Sequence, residues 1–257
     1  MIGCGNMAGA MLRRWIDSGA VAPGNVHVAN RHERALPEGV RQARVLPTDH
    51  VADVLVLGVK PQQLDEVADQ YRDAVARVPL LVSMLAGKDA AALAAAFPGP
   101  EPVVTMPNLP VAIGKGVVAV HAPGVSDAAR ATVDRLMAPL GVVRWLDDAA
   151  AFAAAGALSG CGPAFLFRVI DALAAAGVAA GLADDDAAAL ALATVDGAAA
   201  MAAEADRPPG ALADAVASPG GMTRQGLNVL DADDALVTLM TRTLAAAIAR
   251  GQEMART

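Results

Sequence analysis

Ser218-Pro219-Gly220-Gly221-Met222-Thr223 strings together residues chosen for backbone behaviour, immediately ahead of the periodic Leu227 and Leu230. Proline fixes one φ, the glycines permit positive φ, and Thr223 is of the N-cap type, so a loop turning into a helix is expected here. The start of such a helix has N–H groups without intrahelical partners and can receive an anion. A plain connector of the same composition would need no ligand, and local composition does not separate the two.

A second chemically suggestive stretch is Met1-Ile2-Gly3-Cys4-Gly5-Asn6-Met7-Ala8, the Gly-x-Gly-x-x-Ala form of a dinucleotide fingerprint. It runs into the helical pattern Met11, Leu12, Trp15, Ile16, and an apolar stretch, Val26 to Ala29, returns where the second strand of a βαβ unit belongs. Past that strand an NAD-binding fold places an acid for the ribose 2′-OH, whereas this chain has Asn30-Arg31-His32-Glu33-Arg34. Arg31 suits a 2′-phosphate, so NADPH is the expected cofactor, with NADH possible. A solvated loop charge is the commoner fate of any single Arg. Only Met1 and Ile2 precede the glycines, where a strand of about five residues belongs. The reading therefore expects either residues upstream of Met1 in the natural product or a stunted central strand.

The elements that must position these stretches alternate up to Leu146. Strands are expected at 54–59, 80–83, 103–105, 117–120 and 142–145, and helices at 64–76, 89–96 and 128–138, which makes a doubly wound sheet. Ligands of such sheets sit beyond the carboxyl ends of the strands. That singles out Gly58-Val59-Lys60-Pro61, Ser83-Met84-Leu85-Ala86-Gly87 and Met106-Pro107-Asn108-Leu109-Pro110. Lys60 reads as a cofactor-facing or solvated charge more readily than as a catalytic acid. From Asp147 onward the pattern is helical only, at 149–158, 163–180, 184–203, 212–217, 222–230 and 233–254, with Pro163 at a helix start and Asp184-Asp185-Asp186 capping another. The expected domains are 1–146, a Rossmann-like α/β domain, and 147–257, an all-α domain for substrate binding and dimerisation.

Composition narrows the function. Hydrophobic residues make up 55% of the 257 residues and aromatics only 3%, so Ala, Val and Leu carry the apolar content, which suits closely packed helices. A net charge of -7 argues against nucleic acid as a partner. Cys4 and Cys161 with four scattered His form neither a disulfide frame nor a metal site, and a reducing cytoplasm fits. The 19 residues from Ala149 to Phe167 carry no charge, yet Ser159-Gly160-Cys161-Gly162-Pro163 should interrupt them, so two buried helices meeting at a turn are expected rather than a membrane span. No basic region precedes an apolar run at the N-terminus, so a signal peptide is not expected. Small-residue faces such as Ala172 to Leu182 suggest helices interlocking between two chains, or close packing within one.

Taken together, Gly3-Cys4-Gly5-Asn6-Met7, Val59-Lys60-Pro61-Gln62, Met106-Pro107-Asn108-Leu109-Pro110, Leu158-Ser159-Gly160-Cys161-Gly162-Pro163-Ala164-Phe165 and Ser218 to Thr223 resemble pyrroline-5-carboxylate reductase. The resemblance runs in order over essentially the whole chain. It implies an N-terminal Rossmann domain, a helical domain interlocked with a second subunit in a homodimer or higher homo-oligomer, and NAD(P)H-dependent reduction of a cyclic imine to proline, the last step of its biosynthesis. It also implies site residues. Gly3, Gly5, Asn6, Met7, Asn30, Arg31, Val59, Lys60, Pro61, Leu85, Ala86, Pro107 and Asn108 would bind the cofactor. Ser218, Gly220, Gly221, Met222 and Thr223 would bind a small-molecule substrate, with the backbone N–H groups of Gly221, Met222 and Thr223 on its carboxylate and the Thr223 hydroxyl acting near the ring nitrogen. The chain departs from the family pattern at Val104, Cys161, Ala153 to Gly156, Ala149, Ala213 and Ala215. Two rivals remain at this level. One is a related NADP-dependent oxidoreductase of a hydroxy acid or another imine, disfavoured because that group uses a Lys in its helical domain and residues 147–257 have none. The other is a non-catalytic NADP-binding regulatory protein.

Overall fold

The computed structural model describes residues 1–47 and 51–255. They fall into two compact units, Met1–Pro163 with Ala247–Thr257, and Ala164–Ala246.

The first unit alternates as expected: α1 (Asn6–Asp17), β1 (His27–Ala29), β2 (Arg41–Ala43), β3 (Val54–Leu57), α2 (Leu64–Val75), β4 (Leu80–Ser83), α3 (Ala90–Ala96), β5 (Glu101–Pro107), β6 (Gly116–His121), α4 (Asp127–Met137) and β7 (Gly141–Trp145). Strands β3 to β7 lie side by side in chain order, and β1 pairs with β2. Ile2 joins the two sets through parallel bridges to Ala29 and Leu57. Ahead of the glycines Ile2 is held by Ile2 N to Val56 O at 2.9 Å and Gly58 N to Ile2 O at 2.8 Å. The Met1 ammonium donates to His27 O at 2.7 Å, and burial lowers its pKa from 8.0 to about 6, with Cys4 pulling the other way.

All pairings are parallel except β5 with β6. The link between those two is a 3₁₀ turn, Leu109–Ile113, far shorter than the crossover a parallel return needs, so the chain reverses. Alternation along the strands then feeds two cores. Val56, Val82 and Val120 face Met11, Leu12 and Trp15 of α1 and Val133 and Met137 of α4. Leu55, Leu57 and Leu81 face Val67, Tyr71 and Val75 of α2 and Leu93 of α3. Asp89 and Ser126 cap α3 and α4 by accepting from Ala92 N and Ala129 N. Asp89 is therefore a cap and not the first helical residue.

Beyond the sheet, α5 (Ala149–Ala155) is capped by Asp148 and passes into a π-helical segment, Gly156–Gly160, before α6 (Gly162–Ala179). The expected turn is thus a widened helical turn. Phe152 of α5 stacks on His121 with centroids 5.5 Å apart.

The second unit continues through α6, α7 (Asp184–Glu204), α8 (Pro209–Ala215), α9 (Met222–Asp231) and into α10 (Ala235–Ala255). Ala183 is the N-cap of α7 without a side-chain bond, so Asp184, Asp185 and Asp186 form an acidic first turn in place of a cap. Among its described residues only Ala187, Ala191 and Ala217 are buried, while Phe167, Leu190, Leu192, Met201 and Val237 are 56 to 68% exposed. The helices expected to be buried are therefore largely bare within one chain. Ala149–Ala179 and Asp184–Glu204 are long and apolar enough to cross a membrane by length and composition. Three acids open the first turn of α7, and the π segment Gly156–Gly160 interrupts the apolar run ahead of α6.

Candidate active site

A cleft of about 850 Å³ opens in the first unit at the carboxyl ends of β1, β3 and β5. Its floor is the glycine loop. Gly3 has φ +80°, and a Cβ there would come within 2.8 Å of Gly58 O and 2.7 Å of Val59 Cγ1, so only glycine lets the loop lie this close to the end of β3. Gly5 is the N-cap of α1, has no side chain to cap it, and a Cβ added there would meet nothing within 4 Å. The first intrahelical bond is Gly9 N to Gly5 O, which leaves the N–H groups of Asn6, Met7 and Ala8 free at the positive end of the helix dipole. No acidic residue stands in that first turn. This is the geometry a pyrophosphate requires.

Of the residues expected to hold a cofactor, Gly3, Gly5, Asn6, Met7, Asn30, Arg31, Val59, Lys60 and Pro107 line the cleft. Pro61, Leu85, Ala86 and Asn108 are not among its lining residues. Pro61 opens the 3₁₀ turn Pro61–Gln63. Leu85 is 1% exposed and packs in the core under α2 and α3. Asn108 spends its amide on the scaffold, donating from Nδ2 to Ser159 O at 2.9 Å and accepting from Val117 N at 2.8 Å. It ties β6 to the π segment.

Arg31 forms an ion pair with Glu66 of α2, both side chains more than half exposed. Asn30 accepts from Cys4 N at 2.9 Å through Oδ1 and donates from Nδ2 to Gln42 Oε1 at 2.9 Å. Burial pushes the Cys4 thiol up, against the pull of Arg13, the Met1 ammonium and Arg34. Lining residues that the motifs did not single out include His32, Arg34, Arg44, Gln70 and Tyr71. His32 and Arg34 share Arg31's basic run and could have been read with it. Arg44 follows a strand with no apolar signature, and its carbonyl accepts from the Tyr71 hydroxyl at 3.3 Å.

In the second unit the Pro-Gly-Gly loop turns into α9 as expected, with two corrections. The positive φ, +74°, belongs to Gly220, while Gly221 has φ -74° and serves as N-cap; Thr223 is the second helical residue and no cap. Gly221 N is consumed in a turn bond to Ser218 O at 3.0 Å, so it is not free for an anion. Gln225 N closes the first intrahelical bond on Gly221 O, which leaves Met222, Thr223 and Arg224 to present free N–H groups. Met222 is 93% exposed. Arg224 reaches back to Asp214 of α8 at 2.7 Å, bracing the loop between the two helices.

Residues 149–254 match a family model described as pyrroline-5-carboxylate reductase dimerisation, and residues 1–87 match one described as NADP oxidoreductase coenzyme F420-dependent. The pyrroline-5-carboxylate reductase of Synechocystis sp. is 34% identical over 90% of this chain and 88% of its own length. That of Glycine max is 34% identical over 96% and 92%. The solved structure of a pyrroline-5-carboxylate reductase from Coxiella burnetii superposes with a TM-score of 0.90 at 30% identity, covering 100% of this chain and 97% of that one. The Plasmodium falciparum enzyme with NADP bound shares the fold, with a TM-score of 0.83 at 24% identity over 99% and 96%.

Proposed function

The chain belongs to the pyrroline-5-carboxylate reductase family, and from that premise we propose that it reduces 1-pyrroline-5-carboxylate to L-proline with NADPH, as a cytoplasmic homodimer or higher homo-oligomer. Residues 1–146 act in this reading as the cofactor domain and 147–257 as the substrate and dimerisation domain. The hydroxy-acid rival loses ground, because the relatives named above are pyrroline-5-carboxylate reductases; the assay below decides for or against the non-catalytic one.

The carrying observation is the uncapped start of α9. Three N–H groups, of Met222, Thr223 and Arg224, have no intrahelical partner, and no side chain caps the helix. A substrate carboxylate there gains charge-assisted hydrogen bonds and the helix dipole. Gly220, in the left-handed region, aims the loop into the helix, and the Gly221 to Ser218 bond fixes it. Thr223, one residue past the helix start, brings its hydroxyl to the ring nitrogen, where it holds the proton of an imine basic enough to arrive protonated.

In the first unit, the free N–H groups of Asn6, Met7 and Ala8 receive the pyrophosphate, Arg31 with His32 and Arg34 receives the 2′-phosphate, and Val59, Lys60 and Pro107 bound the nicotinamide end. A bound nicotinamide supplies the hydride to the imine carbon, and the protein contributes position and electrostatics. The test is a steady-state assay of NADPH oxidation with pyrroline-5-carboxylate. Turnover that leads to proline supports the reading; cofactor binding without turnover would leave a regulatory protein.

A further inference from the structure

We propose that Gln42 is the positioning residue that makes the cleft selective for a cofactor bearing a 2′-phosphate, an inference that rests on the NADPH reading above. Gln42 stands on β2, whose residues pair in parallel with β1. It does not line the cleft. Its side chain accepts through Oε1 from Asn30 Nδ2 at 2.9 Å and from Arg34 N at 3.2 Å, and it donates from Nε2 to Arg34 O at 3.2 Å.

Donating to and accepting from the backbone of one residue, the amide acts toward Arg34 as a neighbouring strand would. Among the described residues, the Arg34 backbone has no other hydrogen bond. The same amide grips Asn30, which is bonded in turn to the glycine loop through Cys4 N. One side chain thus closes both ends of the segment Arg31-His32-Glu33, which has no regular secondary structure, and three residues of that loop, Arg31, His32 and Arg34, line the cleft.

Recognition of a phosphate by several cations depends on their holding a fixed geometry, because charge-assisted hydrogen bonds are directional. A loosened loop would keep its charges and lose that geometry. The pyrophosphate, held by the start of α1, would be little affected, because the Asn30 Oδ1 bond to Cys4 N does not involve Gln42. Gln42 therefore acts on the 2′-phosphate through Arg34 and its neighbours, and the reacting end of the cofactor is untouched.

The experiment measures Kd and KM for NADPH and NADH, with kcat at saturation, in the full chain as wild type, Gln42→Leu and Gln42→Glu. Gln42→Leu removes all three bonds; Gln42→Glu keeps both acceptor bonds at nearly the same shape, loses the donor and adds a negative charge beside the loop. Both variants should bind NADPH ten-fold or more weakly, shift NADH by less than two-fold, and keep kcat at saturating NADPH. An NADPH-to-NADH affinity ratio unchanged in both variants, whether both cofactors weaken together or neither does, overturns the proposal. A wild type without NADPH preference overturns the NADPH reading itself, an outcome separate from the variants' behaviour.

Discussion

At the scale of single residues, the proposed substrate loop before α9 should separate binding from turnover. In that reading Met222 contributes only its backbone, so Met222→Ala should change KM for pyrroline-5-carboxylate by less than three-fold. Gly221→Val tolerates the φ of -74° but sets its Cβ 2.9 Å from Ser218 Oγ and 3.1 Å from Ser218 O, breaking the turn that aims the helix. It should raise KM at least ten-fold. Thr223→Ala should lower kcat with little change in KM. A hydrogen bond made in the transition state is worth roughly 10² to 10³ in rate, and a nitrogen that arrives protonated puts this one at the low end or below. Kinetic constants for the three variants decide the matter; wild-type values for Gly221→Val and Thr223→Ala together would reduce the loop to a connector. The sequence announced this loop because Pro and Gly state their backbone demands outright. It did not reveal which glycine takes positive φ or that Gly221 N is spent on Ser218, since both follow from how the turn closes in space.

At the scale of elements, Glu66 on α2 competes with any phosphate for Arg31. Exposed ion pairs are worth about 0 to 1 kcal/mol, so Glu66→Gln should tighten NADPH by at most about five-fold and leave NADH unchanged, measurable by fluorescence titration. A second consequence lies at Met1, next to the bridged Ile2. The Met1 amine has a lower pKa folded, about 6, than unfolded, 8.0, so between those values the unfolded chain binds more protons. Stability should rise with pH through that window by roughly 2 to 3 kcal/mol and level off above pH 8. Urea unfolding at pH 5.5, 7 and 8.5 measures the slope. Residues added ahead of Met1 convert the amine to an amide and should remove that part of it; an unchanged slope in the extended chain would assign the effect elsewhere. Apolar runs and helix signals made β3 to β7 and the intervening helices legible. Strand β2 was not, because Arg41-Gln42-Ala43 is a polar stretch paired only with β1, and its meaning lies in what Gln42 reaches. The Arg31–Glu66 pair was hidden for the same reason, its partners being 35 positions apart.

At the scale of the molecule, the second unit buries only three alanines, while Phe167 of α6 is 61% exposed. The low aromatic content and the small-residue helices hinted at interlocking chains, but exposure within one chain could only be read from the fold. In the proposed homodimer these faces would be covered, so stability should depend on protomer concentration, with thermal midpoints rising on concentration. Phe167→Asp should yield a species that sediments as a monomer, with lost activity and weakened thermal stability. A monomeric wild type, active at micromolar concentration, would overturn the assembly.

The scarcity of a private core in the helical half also bears on how the protein comes into being. A polypeptide emerging in order presents the sheet first, with two apolar faces already able to close over it, and only afterwards delivers helices that have almost nothing of their own to close upon. If the proposed dimer forms, maturation should follow a second-order rate law: at low expression the yield of finished enzyme should climb more steeply than the number of chains made. Until a second copy of the proposed dimer arrived, the exposed leucines of α6 and α7 and Met201 would be the surface a chaperone could hold.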